Sequence, residues 1–224
     1  MRYVSDMSAS DKTIYLLAAH PNWRESRVNR QMLAAARGVP AVDAHDLYAS
    51  YADYAIDVPA EQARLAEAQM LVLMHPVQWY SMPALLKLWL DEVLTYGWAY
   101  GPGGAALHGK DLWLVATTGG PEESYHPQSY NRYCFDAFLP PYEQTAALCG
   151  MRFLPPLILH GAHRAADEDV AAHVAMFTER LQTYPDWPEM DEIATCVACE
   201  VPQHDRPDTE GCKWNTRLPG SSTA

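Results

Sequence analysis

The sequence predicts an α/β domain whose five-stranded parallel sheet is covered by helices on both faces. Short apolar runs alternate along the chain with segments in which apolar residues have the spacing of a helix. Such alternation is typical of strands joined by right-handed helical crossovers, which makes the strands parallel. With 224 residues, 49% of them hydrophobic, the chain is long enough to bury the core of one such domain.

Five apolar runs are predicted to be strands, because each is too short to be a buried helix. Prolines stop the first and the third of these runs, at His20-Pro21 and at Pro76. The fifth run contains Pro155-Pro156, and since proline donates no hydrogen bond to a sheet, we expect an edge strand or a bulge there. The predicted strands are residues 13–19, 41–46, 70–75, 111–117 and 151–160.

The segments between the strands are predicted to be helices with one buried face. The last is the clearest, because Val170, Val174 and Phe177 recur at steps of four and three after an acidic first turn. Residues 131–149 cross Pro140-Pro141, and we expect two helical pieces there because proline breaks a helix interior. The predicted helices are residues 27–37, 59–67, 83–94, 131–149 and 167–184.

The two ends of the chain lack this alternation. We predict a polar leader over residues 1–12, a cofactor-binding domain over 13–184 and an irregular tail, rich in Pro, Asp, Thr and Ser, over 185–224. Four residues of the tail offer soft ligands for Zn²⁺, and they are Cys196, Cys199, His204 and Cys212. Only the first two have the spacing of ligands, so incidental cysteines in an irregular tail are the alternative.

The charge of the chain argues against several classes of partner. The net charge is -12, which opposes binding to nucleic acid or to an anionic membrane surface. No apolar run is long enough to span a membrane, and the first residues lack the apolar core of a signal peptide. We therefore expect a cytoplasmic protein with a small-molecule partner.

The residues that follow the predicted strands are the candidates for a binding site, because ligands of an open parallel sheet bind beyond the carboxyl ends of its strands. Three of the loops carry polar, aromatic or glycine residues suited to binding. The candidates are His20, Ser26, Arg27, Val28 and Asn29 after the first strand, Val77, Gln78, Trp79 and Tyr80 after the third, and Thr117, Thr118, Gly119 and Gly120 after the fourth.

The chemistry of these loops is complementary. The helix start at Ser26 offers backbone N–H groups to a phosphate, and Trp79 and Tyr80 offer flat surfaces to a ring system. Gly119 and Gly120 allow backbone to approach a ring closely. Each piece alone has an ordinary structural explanation: a helix cap, core aromatics or a turn. Together, a phosphate site and a surface for a flat heterocycle predict FMN, in preference to FAD.

Residues 75–120, HPVQWYSMPALLKLWLDEVLTYGWAYGPGGAALHGKDLWLVATTGG, resemble the NAD(P)H:quinone oxidoreductases of the flavodoxin-like superfamily. Within them, the chain is most similar to the ancillary quinone reductases of bacterial glutathione-gated potassium-efflux antiporters. The resemblance covers residues 13–184 and implies a flavodoxin-like fold with FMN bound by the three loops chosen above. It also implies a homodimer with flavin sites at the subunit interface.

The activity that the resemblance implies is a ping-pong reaction, in which NAD(P)H reduces the flavin and a quinone then reoxidises it. A family tyrosine near the flavin corresponds to Tyr125, whereas the family's histidine partner is replaced by Asn131. His126, next to Tyr125, is therefore the second catalytic candidate. Two alternatives stay open. The chain could be a regulatory subunit that docks on a potassium-efflux antiporter at the inner membrane, or it could reduce azo or nitro compounds.

Overall fold

The computed structural model describes residues 13–191 and Ile193, which form an α/β fold with five strands and six α-helices. The strands are β1 (Ile14–Ala18), β2 (Val42–Asp46), β3 (Met70–Pro76), β4 (Asp111–Thr117) and β5 (Arg152–Leu159). The helices are α1 (Val28–Ala36), α2 (Leu47–Ser50), α3 (Val58–Glu67), α4 (Ala84–Val93), α5 (Pro140–Leu148) and α6 (Asp167–Thr183). The predicted fold class is thus confirmed. Within this described part, no helix is long and apolar enough to cross a bilayer.

The five strands form one all-parallel sheet in the order β2-β1-β3-β4-β5. All carboxyl ends therefore lie at the same edge, where Pro76 of β3 stands beside Thr117 of β4. The direction in which the chain adds strands reverses between β1 and β3. The loops after these two strands leave on opposite sides of the sheet, and the gap between them is where an open α/β sheet binds its ligand.

Helices cover both faces of the sheet because successive side chains of a buried parallel strand point to opposite sides. Leu16 packs on the face covered by α1 and α6, and Leu17 packs on the face covered by α3, α4 and α5. Both side chains are fully buried. The continuous apolar runs in the sequence thus reflect strands with no solvent-exposed face.

Prolines shape both β5 and the start of α5. β5 is an edge strand, and its pairing with β4 shifts register opposite Pro155-Pro156, as the prolines predicted. The helical segment predicted over 131–149 is shorter: a 3₁₀ turn, Phe135–Phe138, precedes α5, which starts at Pro140. Proline is favourable in the first turn of a helix, so Pro140 begins the helix instead of interrupting it.

The chain continues to pack after α6. The Trp187 side chain is buried, its ring meets Trp113 edge-on with centroids 5.0 Å apart, and its indole N–H donates to the Arg180 carbonyl at 2.9 Å. The core of the sheet face covered by α6 therefore includes a residue beyond the predicted domain end at Tyr184. The predicted leader, residues 1–12, and the four candidate zinc ligands in the tail lie outside the described residues.

Candidate functional site

The three loops chosen from the sequence meet at the carboxyl edge of the sheet, around a hollow at the switch between β1 and β3. We call it the main hollow. The candidates that line it are His20, Ser26, Arg27, Val28, Asn29, Val77, Gln78, Thr117, Thr118 and Gly119. Three candidates, Trp79, Tyr80 and Gly120, lie instead around a neighbouring hollow, which shares Val77 with the first.

One wall of the main hollow is the start of α1. Ser26, just before the helix, is buried, and its hydroxyl accepts a hydrogen bond from the Arg30 N–H at 3.2 Å, which satisfies one N–H of the first turn. The N–H groups of the first helical turn have no partner within the helix and carry the positive end of its dipole. This wall is therefore suited to bind an anion such as a phosphate.

Arg27 lies in the lining of the main hollow, but its guanidinium is bound to another part of the protein. It donates to the Ala165 carbonyl at 2.6 Å and pairs with Asp167 at the start of α6. The Asp167 side chain is 94% exposed, so water screens this pair. Arg27 thus ties the starts of α1 and α6 together, and the donors toward an anion are backbone N–H groups.

Asn29 offers an unpaired polar atom to the main hollow. The residue is only 3% exposed, and its amide nitrogen donates to the Thr117 hydroxyl at 2.9 Å. Its Oδ1 atom is buried without any hydrogen-bond partner. An unpaired buried acceptor costs roughly 1–3 kcal/mol, so a bound group with a hydroxyl or N–H donor would remove a real penalty.

Two histidines face the same hollow from different loops. His20 follows β1 and His163 follows β5, while Glu25 contributes a negative charge to the lining. Burial lowers the pKa of His20; Glu25 opposes this shift and the neighbouring His163 adds to it. His20 is therefore held in its neutral form, and its Nδ1 accepts a hydrogen bond from the Asn22 N–H at 3.1 Å.

The neighbouring hollow is mostly aromatic, and we call it the aromatic hollow. Its lining residues are Val77, Trp79, Tyr80, Gly120, Tyr125, Tyr130 and Asn131. A Cβ atom on Gly120 would lie 2.8 Å from the Ser124 hydroxyl and 2.9 Å from the Tyr130 hydroxyl, so any larger residue here would displace these side chains. Flat rings on several sides make this hollow suitable for a planar substrate or ring system.

The turn between Gln78 and Ser81 presents two of these rings in a strained backbone conformation. The two end residues exchange backbone hydrogen bonds of 2.9 and 3.0 Å, and Trp79 and Tyr80 between them have φ values of 49° and 64°. Left-handed backbone is unfavourable for bulky residues and persists where surrounding structure holds it, often at functional sites. The turn leaves the Trp79 side chain 93% exposed at the rim.

The structure separates the two catalytic candidates. Tyr125 lines the aromatic hollow, whereas His126 is exposed, lines neither hollow, and accepts a hydrogen bond from the Gln128 N–H. Asn131, which replaces the family's histidine, is 9% exposed and accepts from the Tyr80 hydroxyl at 3.3 Å. Its amide nitrogen also donates to the Ser124 hydroxyl at 2.8 Å, so Asn131 braces the aromatic hollow.

Sequence reasoning missed the contribution of the loop after β5. Ala162 and His163 line the main hollow, and His160 lies against Tyr125 with ring centroids 5.2 Å apart. The rule that selected the other loops applies equally to β5, because its carboxyl end lies at the same edge of the sheet. The signal was therefore present in the sequence as two histidines, His160 at the last position of the fifth predicted strand and His163 just after it.

Comparisons with known proteins agree with the fold. A family model described as Flavodoxin-like fold matches residues 12–182. The ancillary protein KefF of the glutathione-regulated potassium-efflux system of Citrobacter koseri is 44% identical over 168 residues, which are 75% of this chain and 94% of the relative.

Two solved structures are similar over most of their length. General stress protein 14 of Treponema denticola, solved in complex with FMN, is 37% identical, with a TM-score of 0.72 over 77% of this chain and 98% of that protein. An NADPH-quinone reductase from P. pentosaceus is 26% identical, with a TM-score of 0.68 over 76% of this chain and 97% of that protein.

Proposed function

The chain belongs to the flavodoxin-like fold family, together with the ancillary proteins of glutathione-regulated potassium-efflux systems, and on this premise we propose that it is an FMN-dependent NAD(P)H:quinone oxidoreductase. One observation carries the proposal: a helix start suited to an anion and an aromatic hollow adjoin at the switch point between β1 and β3. A ligand that carries both a phosphate and a flat ring system requires two adjoining sites of these two kinds. The FMN complex of a 37% identical protein supports the choice of ligand.

The residues present fit FMN in three respects. The first turn of α1 would bind the phosphate through backbone N–H groups. The unpaired Oδ1 atom of Asn29 would accept a hydrogen bond from a ribityl hydroxyl, which an aromatic or purely anionic ligand lacks. The turn that carries Trp79 and Tyr80 and the backbone of Gly119 and Gly120 would flank the ring system.

Bound FMN would supply the two-electron redox chemistry, accepting a hydride from NAD(P)H and passing the electrons to a quinone in a ping-pong sequence. The chain would position both partners. The aromatic hollow would hold the planar acceptor, and Gly119 and Gly120 would offer backbone N–H groups to negative charge. Tyr125 would donate a hydrogen bond from its hydroxyl, whose pKa is raised by burial so that the proton is retained at neutral pH.

Purified protein tests the proposal directly. We expect a yellow flavin spectrum, release of FMN on denaturation, and bleaching by NADH or NADPH that a quinone reverses. Tyr125→Phe should slow a half-reaction in stopped flow without loss of FMN, whereas Tyr133→Phe, an exposed tyrosine outside both hollows, serves as the matched control. A protein that neither binds FMN nor oxidises NAD(P)H would refute the assignment. The same assay with azo and nitro compounds measures the alternative acceptors.

A second candidate function is that of a regulatory subunit of a potassium-efflux system, which the name of the 44% identical relative favours. The chain would then be cytoplasmic and peripheral to the inner membrane through this partner. Co-purification with an antiporter, unaffected by a substitution in the flavin site, is the expected result. Failure of the intact protein to co-purify would remove this role and leave the enzymatic proposal untouched.

We also propose a homodimer. The exposed rings of Trp79 and Tyr130 at the rim of the aromatic hollow, 93% and 69% exposed, are large apolar surfaces that a second subunit would cover. Light scattering coupled to gel filtration should give twice the mass of the chain. Trp79→Ser should shift this mass toward the monomer.

A further inference from the structure

One buried side chain, Asn131, joins the loops that line the aromatic hollow. The Tyr80 hydroxyl, in the turn after β3, donates to its Oδ1 atom at 3.3 Å. Its amide nitrogen donates to the Ser124 hydroxyl, beyond β4, at 2.8 Å, and that hydroxyl donates to the Pro121 carbonyl at 2.6 Å. We call Tyr80, Asn131 and Ser124 the brace. It connects the Tyr80 ring to the backbone that follows β4.

The hydrogen bonds of Ser124 define which way the Asn131 amide points. A serine hydroxyl has a single proton, and here that proton is directed to the Pro121 carbonyl. The Ser124 oxygen therefore accepts from Asn131, so the amide nitrogen faces Ser124 and the amide oxygen faces Tyr80. A flipped amide would place two acceptors against each other. Asn131 and Ser124 are 9% and 2% exposed, so water does not compete for the bond between them.

The brace holds Tyr80 in an unfavourable backbone conformation. Tyr80 has a φ of 64°, and Arg132, the residue after Asn131, has a φ of 61°. Left-handed backbone at residues other than glycine persists where the surrounding structure holds it. The Tyr80 ring has a second support, because it stacks on Phe138 with centroids 5.3 Å and planes 22° apart. The ring is thus held at one place in the wall although it is half exposed.

Trp79, the neighbouring residue of the same turn, is not held in this way. Within the described residues its side chain has no hydrogen bond and no ring contact, and it is 93% exposed. The Trp79 ring can therefore turn away from an incoming molecule, whereas Tyr80 cannot do so without losing its two supports. A limit on the size of the bound molecule is accordingly set at Tyr80 and at the residue that holds it.

The space inside this wall is small. The aromatic hollow encloses about 220 Å³, less than the roughly 300–1,000 Å³ of pockets that bury drug-sized ligands. Gly120 confines the brace from behind, because a Cβ atom there would lie 2.8 Å from the Ser124 hydroxyl and 3.5 Å from the Asn131 nitrogen. A wide ring system could enter only by moving Tyr80, which breaks its hydrogen bond and its stack.

This geometry gives Asn131 a role that rests on the function proposed above. We propose that Asn131 is a positioning residue that selects the electron acceptor by size: by holding Tyr80 in the wall of the aromatic hollow, it favours single-ring quinones over quinones of three fused rings. The selection depends on the hydrogen bond between Tyr80 and Asn131. Removing either partner frees the ring and admits the wider acceptor.

Two quinones of different width test the proposal in the holoenzyme. Tetramethyl-benzoquinone has one ring and no free ring position to react with the exposed thiol of Cys134, and phenanthrenequinone has three rings. In Tyr80→Phe and in Asn131→Ala we expect the ratio of kcat/KM, single-ring over three-ring, to fall about threefold to tenfold, through a lower KM for the wider quinone. Comparing ratios cancels the intrinsic reactivity of each quinone.

The matched control is Tyr54→Phe, which should keep the wild-type ratio. Tyr54 has the same left-handed backbone as Tyr80, with a φ of 65°, and the same exposure, 46% against 48%, but lines neither hollow. A double-mutant cycle separates the hydrogen bond from simple enlargement of the hollow. Tyr80→Phe should have no further effect on the ratio in protein that already carries Asn131→Ala.

A binding measurement without turnover complements the kinetics. Oxidised protein without NAD(P)H binds a quinone but cannot reduce it, and quenching of tryptophan fluorescence gives the dissociation constants. The ratio of the two constants should shift by the same factor in each variant. Wild-type ratios in both single variants, or an equal effect of Tyr80→Phe with and without Asn131, would overturn the size selection and leave the quinone reductase assignment intact. A wild-type protein that binds both quinones with the expected ratio but reduces neither would remove that assignment alone.

Discussion

Two polar groups inside this fold are almost equally inaccessible to water, yet their surroundings differ. Glu61 on α3 is fully buried; one oxygen accepts from the Tyr15 hydroxyl at 2.5 Å and the Trp89 indole at 2.7 Å, and the other accepts from the Tyr51 hydroxyl at 2.8 Å. We call these four residues the Glu61 cluster. His45 also lies nearby, and its Nε2, which has no hydrogen-bond partner, is 3.5 Å from the carboxylate.

Asn29 on α1 is the contrasting case, because one of its two amide atoms has no partner. At Glu61, hydrogen bonds from protein groups offset the free-energy cost of burying the carboxylate. At Asn29, no hydrogen bond offsets the cost of burying the amide oxygen. The Glu61 cluster joins α3, α4 and β1, far along the chain from each other, and therefore stabilises the fold. The unpaired atom of Asn29 belongs to a residue that lines the main hollow, and this difference is the reason why we propose a ligand there.

The largest expected effect comes from breaking the Glu61 cluster. Glu61→Ala leaves two buried donors, the Tyr15 hydroxyl and the Trp89 indole, and the half-buried Tyr51 hydroxyl without an acceptor. Since each buried unsatisfied group costs roughly 1–3 kcal/mol, we expect the free energy of unfolding to fall by about 4 kcal/mol. Urea denaturation measures this change. FMN affinity of the protein that remains folded should be unchanged, because no residue of the cluster lines the main hollow.

The control is Glu92→Ala, an exposed glutamate on α4 whose removal should change stability by less than about 0.5 kcal/mol. Equal stability of the two variants would mean that the Glu61 cluster adds nothing to the fold. Glu61→Gln keeps the shape of the side chain and should fall between the two, because an amide accepts hydrogen bonds at one end only.

His75 adds a third case to the comparison. Like Glu61, it is a buried side chain whose polar atoms all have partners within the protein, but it lies at the end of β3 beside the main hollow. Its Nδ1 donates to the Pro76 carbonyl at 3.0 Å and its Nε2 accepts from the Tyr142 hydroxyl at 3.2 Å. Burial lowers the pKa of His75 to about 4, below its ordinary value of 6.5. The unfolded chain therefore binds a proton at a higher pH than the folded protein does.

The stability due to neutral His75 is fully present above pH 6.5 and is lost as the pH falls from 6.5 to about 4. The shift corresponds to about 3 kcal/mol over this range. Urea denaturation at several pH values should show a weaker acid dependence for His75→Gln than for the wild type, by a difference of this size. Parallel pH curves for the two proteins would contradict the prediction. The other histidines are present in both and cancel in the difference.

The sheet, its edge strand and the meeting of three loops could be predicted because they follow from local patterns. Apolar runs of strand length ended by prolines located β1 and β3, and Pro155-Pro156 located the edge strand β5. Parallel strands share one carboxyl edge, so residues as distant as His20 and Gly119 were predicted to meet there. These inferences need only the period of the pattern and the direction of the strands.

Other features depend on contacts between residues that are distant in sequence, and local sequence patterns do not predict such contacts. Glu61 has the sequence neighbourhood of an ordinary surface helix position, and only the fold brings Tyr15 and Trp89 to its carboxylate. Arg27 was predicted as a cofactor-binding residue, and only the fold brings Asp167, at the start of α6, to its guanidinium. These pairings join residues 28 to 140 positions apart, beyond the reach of helical or strand periodicity.

The smallest of the three expected effects concerns Asn29, the residue with the unpaired buried acceptor. Asn29→Ala removes the unpaired acceptor, and we expect the dissociation constant for FMN to rise about tenfold, which is about 1.4 kcal/mol of binding free energy. The ligand-free protein should lose less stability than Glu61→Ala does, because the substitution breaks a single hydrogen bond, from the Asn29 amide to the Thr117 hydroxyl, and the other atom that is lost had no partner. Gln31→Ala, an exposed amide on the same helix, is the control for fluorescence titration and for urea denaturation. An unchanged FMN affinity together with a large loss of stability would place Asn29 with Glu61, as a residue whose role is to hold the fold.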